Sequence, residues 1–99
     1  MTEAALQEAR LKHPHFCGTF CGLADWARAA QQDLGFLRAC NDAEEGSGSH
    51  SALGILLEEV RESEAAYRQG DLTGCLHELA QCGAVILRMM QYVNRLKEA

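Results

Sequence analysis

Long apolar runs, proline, basic clusters and strand-like alternation are all scarce in this chain of 99 residues. No stretch approaches the roughly 18 unbroken apolar residues of a membrane span. The opening Met1-Thr-Glu-Ala-Ala lacks the basic start and apolar core of a signal peptide. The expectation is a cytoplasmic protein with no membrane partner. Lys and Arg together number 9 against 14 Asp and Glu, for a net charge of -5 with no basic run. That balance excludes nucleic acid as the main partner, because a polyanion is held by clustered cations. Pro14 is the one proline, and apolar residues never alternate with polar ones for any length. A β-rich architecture is thereby excluded, and the class is all-α. The five cysteines are odd in number and lack the spacing of a disulfide framework, so reduced thiols are expected.

What the chain does have is helical periodicity, enough for one domain over 1–99. Residues 1–22 form a lead-in, helix-forming from Thr2 to Lys12 and broken at His13 by the proline that follows. Within it His13, His15, Cys17 and Cys21 offer metal-ligand side chains, but no second, distant pair of ligands completes a zinc site. A turn whose Phe16 and Phe20 cap the core is the preferred reading. Over 23–40 the residues Leu23, Trp26, Ala30, Leu34 and Leu37 make the apolar stripe of an amphipathic helix. Trp26 on that stripe fits core packing first and a stacking wall for a nucleobase second. Residues 41–50, rich in glycine, serine and acids, read as a surface loop.

Two longer helices follow, over 51–69 and 71–96. Ser49 or Ser51 can cap the first, Gly70 suits the left-handed residue beyond its end, and Asp71 can cap the second. So short a connection forces an antiparallel hairpin. Cys75 and Cys82 share the line of Leu72, Leu79 and Ile86, where a thiol serves as a small buried hydrophobe.

Each hairpin helix carries a main apolar stripe and a second line that mixes apolar residues with acids. The main stripes are Leu53, Leu56, Leu57, Val60 and Tyr67 on the first, and Leu72, Leu76, Leu79, Gly83, Ile86, Met90 and Val93 on the second. The second lines are Ile55, Glu59, Glu62 and Ala66, then Glu78, Gln81, Val85, Tyr92 and Leu96. Helices apolar on two sides are covered on two sides. The chain is too short to do all of that covering, so a four-helix-bundle-like domain completed in a homodimer or homotetramer is expected, burying residues such as Val85, Ile86 and Tyr92.

Carboxylates on such a line are partly buried, and unpaired buried charge costs several kcal/mol per ion. Arginine, lysine or a hard divalent cation must neutralise them. Acids three apart on two facing helices suit a cation. A solvated acidic face of Glu58, Glu59, Glu62 and Glu64, with Arg61 and Arg68 in pairs one turn away, suits the same pattern equally well.

The segment Leu57-Glu-Glu-Val-Arg-Glu62, followed after fifteen residues by Glu78-Leu-Ala-Gln-Cys-Gly-Ala-Val85, resembles the Glu-x-x-Glu and Glu-x-x-Asp motif pair of the all-α nucleoside triphosphate pyrophosphohydrolases, the MazG-like superfamily. The likeness covers about half of the chain. It implies that Glu59, Glu62 and Glu78 are catalytic and bind Mg2+, with Mn2+ as a substitute. It further implies a nucleoside triphosphate substrate, cleaved between its α- and β-phosphates to a monophosphate and pyrophosphate. Gln81 stands where the family pattern has a metal-binding aspartate, and its neutral carbonyl oxygen is a weaker fourth ligand. Arg88 and Arg95, with Trp26, are the candidate substrate contacts. Two other functions fit the residues: a relative that binds nucleotide or protein without turnover, and a plain oligomerisation bundle. Magnesium-dependent thermal stabilisation separates them.

Overall fold

The computed structural model describes residues 2–16, 20–21, 25–48 and 50–99, and of 25–31 the backbone path alone. It is all-α, with α1 Glu3–Lys12, α2 Asp25–Ser47, α3 Ala52–Arg68 and α4 Leu72–Glu98. Among the described residues there is no strand, and no helix is long and apolar enough to cross a membrane.

Local chemistry sets the helix ends. Thr2, Ser51 and Asp71 each accept a hydrogen bond from the backbone N–H three residues on, at 3.2, 3.1 and 2.9 Å, and so start α1, α3 and α4. Gly70 takes a φ of 78°, a left-handed conformation that favours glycine, and Asp71 N–H then reaches back to Ala66 O at 2.9 Å. The three residues between α3 and α4 therefore reverse the chain, and the expected antiparallel hairpin forms.

α2 runs seven residues past its expected end at Cys40, so most of the segment read as a loop is helix. Asn41, Asp42, Gly46 and Ser47 are weak helix formers, and three bonds to α3 and its cap hold the segment helical. Buried Asn41 donates through Nδ2 to Gly54 O at 3.0 Å and to Glu58 at 2.9 Å. Glu44 accepts from Ser51 N–H at 2.9 Å and so pins the start of α3. The left-handed residue that ends α2 is Gly48, with a φ of 76°.

α3 is the central element, packed against α2 on one side and α4 on the other, while among the described residues α2 and α4 do not pack on each other. An ion network holds the α2–α3 seam: Arg61 reaches Asp33 at 2.9 Å and Glu64 at 2.8 Å, and Arg68 reaches Glu64 at 2.9 Å. The result is a three-helix layer, and the chain as a whole, α1 included, has a shortest extent of 22 Å and a radius of gyration of 15.5 Å. A compact domain of this length has about 12–13 Å.

The core is correspondingly small, with Leu34, Cys75 and Cys82 its buried apolar residues among those described. The main apolar stripes of the hairpin do not form it. Leu53, Leu57, Val60 and Tyr67 on α3 are exposed, as are Leu72, Leu76, Leu79, Ile86, Met90 and Val93 on α4. The acid-bearing line of α3 faces inward instead, with Ile55, Glu59, Glu62 and Ala66 half-buried, whereas on α4 only Glu78 and Val85 of that line are half-buried and Gln81, Tyr92 and Leu96 are exposed. Phe16 does not cap a core: it is 85% exposed, because the turn at 14–16 follows a helix, α1, that packs on no other. Phe20 does find a partner, its ring centroid 4.8 Å from that of Tyr67.

Candidate metal centre

A buried carboxylate on α3 and a half-buried group along its seam with α4 are neutralised differently. Glu64, 8% exposed, lies between Arg61 and Arg68 and accepts from both at 2.8–3.1 Å. Those two arginines are thereby committed to it. The second group is built from Glu59 and Glu62, one turn apart on α3, and Glu78 from the facing turn of α4. One carboxylate oxygen from each lies within 4.8 Å of the others. Antiparallel return of the hairpin is what makes the acids meet, since both bearing faces turn toward the α3–α4 seam.

Only Arg38, from α2, approaches this cluster with a positive charge among the described residues, its Nη2 3.4 Å from Glu62 Oε1. Its side chain is more than half exposed, so the pair is weak. Glu58 accepts from Asn41 at 2.9 Å and also stands beside Glu62. Glu59 Oε2 is buried and has no hydrogen-bond donor, which is an unfavourable state for an ionised carboxylate. Burial pushes the Glu59 carboxyl up to about 7, with a hydrogen bond shared with Glu78 and the charges of Glu62, Glu78 and Glu58 acting the same way. Burial likewise raises Glu62 to about 7, followed by hydrogen bonds shared with Glu58 and Glu78 and by their charges. A hydrogen bond between two carboxyl groups needs a proton, and taking one up is how the metal-free chain relieves the repulsion. Beneath the cluster, burial and the charges of Glu59 and Glu78 raise the Cys82 thiol, which stays neutral.

Three carboxylates with an undonated buried oxygen are a donor set that fits a hard divalent cation. Such ions take oxygen ligands and replace the missing positive charge. Beside the cluster opens a cleft of about 320 Å³, lined by Arg38, Glu62, Ala65, Ala66, Gln69, Asp71, Gly74 and Glu78. Its walls carry both signs of charge.

Glu59, Glu62 and Glu78 are thus brought together as the motif spacing implies. Gln81 sits one turn beyond Glu78 and is exposed. Arg88 and Arg95 are exposed on α4, ten and seventeen residues past Glu78. At the helical rise this is about 15 and 25 Å along the axis, and neither shares the cleft. Trp26 falls in α2 with its side chain outside the described residues. Of the N-terminal group His13 and His15 are exposed, Cys21 is half-buried, and Cys17 lies outside the described residues.

Sequence reasoning missed Arg38 and Asn41. The signal was available: the two are three apart, hence on one side of α2, but ending the helix at Cys40 concealed the pairing. Comparison of the chain with protein-family models, with curated proteins and with solved structures returns no match.

Proposed function

We propose that this protein is a magnesium-dependent nucleoside triphosphate pyrophosphohydrolase, acting in the cytoplasm as a homo-oligomer on (d)NTPs. The observation that carries the proposal is the contrast on α3. Glu64 has two arginines, whereas Glu59, Glu62 and Glu78 converge within 4.8 Å with a buried, undonated oxygen and one weakly paired cation. A face neutralised by one-turn pairs accounts for Glu64, whose partners are Arg61 and Arg68, but leaves Glu59 and Glu78 without such a partner. The resemblance of the two half-motifs supplies the reaction class.

Glu59, Glu62 and Glu78 would hold the cation, and Mn2+ would serve in place of Mg2+. Bound there, the metal supplies a Lewis acid and a water of lowered pKa. In the reaction a water oxygen would bond to the α-phosphorus and give up a proton to solvent, the bridging bond to the β-phosphate would break, and pyrophosphate would leave with the bonding pair. Arg38, on the wall of the cleft opposite Glu78, is the side chain placed to bind a phosphate oxygen, and its guanidinium suits that acceptor. The exposed carboxamide of Gln81 favours a second reading, a binder of nucleotide that does not turn over, since a neutral fourth ligand weakens the metal site. Pyrophosphate release over a panel of nucleotides, with and without Mg2+, tests the proposal. Magnesium-dependent release supports it, thermal stabilisation by Mg2+ and nucleotide without release selects the binder, and neither response sinks both.

A further inference from the structure

The three-helix layer has one face that carries the acids and another that carries almost none. Round α3, Val60 lies about 100° from Glu59 and 160° from Glu62, and round α4, Leu79 lies about 100° from Glu78 and 160° from Gln81. The stripe on the side away from Glu62 and Gln81 runs over Leu57 and Val60 on α3 and Leu76, Leu79, Ile86 and Met90 on α4. Its members are from 39% exposed, at Leu79 and Ile86, to 69% at Leu76. Glu64, the acid on that side of α3, is buried under its two arginines.

A compact chain of 10.9 kDa exposes about 5,600 Å², whereas this one exposes 7814 Å². The difference is about 2,200 Å², and a stable interface needs roughly 800 Å² from each partner. α1, which packs on no other helix, accounts for part of that excess, and the requirement is less than half of it. We infer that the apolar stripe of α3 and α4 docks a second copy of this chain, layer against layer, with both acid clefts turned away from the interface. A copy of the same chain suits the stripe because the net charge of -5 is carried largely elsewhere, so two such faces meet without opposed carboxylates. The inference rests on the homo-oligomer of the proposed function and names the face that forms it, and it is independent of what the acid cleft binds.

Sedimentation equilibrium of the full chain at micromolar concentration tests it. The expected mass is twice 10.9 kDa, falling to that of one chain in Leu76→Glu and in Met90→Glu, with helical circular dichroism retained. Ala84→Glu, about 140° round α4 from Leu79, keeps the double mass. Should a glutamate melt the helix, the uncharged Leu76→Gln and Met90→Gln must each weaken self-association by about tenfold or more. A wild-type chain that sediments as a monomer overturns the inference, whether α1 or another protein covers the stripe. Loss of the dimer in Ala84→Glu equal to that in Leu76→Glu overturns it too, as does a dimer that survives both stripe substitutions.

Discussion

Arg38 Nη2 stands 3.4 Å from Glu62 Oε1, bridging α2 to the acid-bearing face of α3. The guanidinium is the counter-charge of the cluster, and under the proposed function a cation on the carboxylates would free it to meet a phosphate in the cleft. Arg38→Gln should therefore lower metal-free stability slightly, by about 0.5 kcal/mol for so exposed a pair. It should also raise KM for a nucleoside triphosphate by tenfold or so, a lost charge-assisted contact of roughly 1.5 kcal/mol. Steady-state kinetics and urea melts read the two effects separately. An unchanged KM removes Arg38 from the substrate site.

Replacing Glu59, Glu62 or Glu78 by glutamine should abolish Mg2+-dependent turnover, since the cation loses a ligand and a charge. The fold should become more stable without metal, by about 1 kcal/mol, because a repelling carboxylate is gone. Activity assays paired with melts in chelator check both halves. Full turnover in all three variants is incompatible with the proposed centre.

Acidity acts on the same cluster. Glu59 and Glu62 are raised in the folded chain from 4.5 to about 7, so between those values the folded state holds more protons than the unfolded one. Stability of the metal-free protein must then fall as pH rises from about 4.5 through about 7, by on the order of 2 kcal/mol after screening, and level off above. Urea midpoints in chelator across that range provide the measurement. Saturating Mg2+ should flatten the slope, and a metal-free stability that climbs with pH contradicts the burial of these carboxylates.

The Gln81→Asp variant addresses the fourth ligand. An anionic oxygen should tighten Mg2+ several-fold, about 1 kcal/mol, while destabilising the metal-free chain through repulsion with Glu78. Calorimetric titration of both proteins decides it. Equal affinities mean that the exposed Gln81 side chain does not turn toward the acids.

Asn41→Ala isolates the scaffold from the chemistry. The buried amide bridges Gly54 O and Glu58, and its loss leaves a buried carbonyl and a carboxylate without their donor, at a cost of about 2 kcal/mol. A Cβ at Gly54 would meet Asn41 Oδ1 at 2.5 Å, so Gly54→Ala should be destabilising through the same contact. Thermal melts of either variant that match the wild type would show that this seam is not what seats α2.

The hairpin and its acids were legible in the sequence because their determinants are local. Ser51, Gly70 and Asp71 mark helix ends by chemistry that acts within three or four residues, and the spacing of Glu59, Glu62 and Glu78 needs only a helical repeat and a short turn. The true end of α2 was not legible, since it depends on Asn41 and Glu44 finding partners on another helix. Nor was the fate of the apolar stripes. Periodicity shows that Val60 and Leu79 need a cover, yet within one chain both are exposed while Glu59, Glu62 and Glu78 are half-buried. What fills a face is a property of the assembled surface, which no single-helix pattern contains.

The cleft beside the acids has α3 as its floor, with walls contributed by two helices that among the described residues pack only on that floor. Nothing ties wall to wall, so its width is set by how each of α2 and α4 leans on a common spine. A molecule that touches Arg38 and Glu78 together is then a crossbar. It would brace the layer mechanically, and stiffness measured with such a molecule in place would report on a span that the polypeptide itself leaves open.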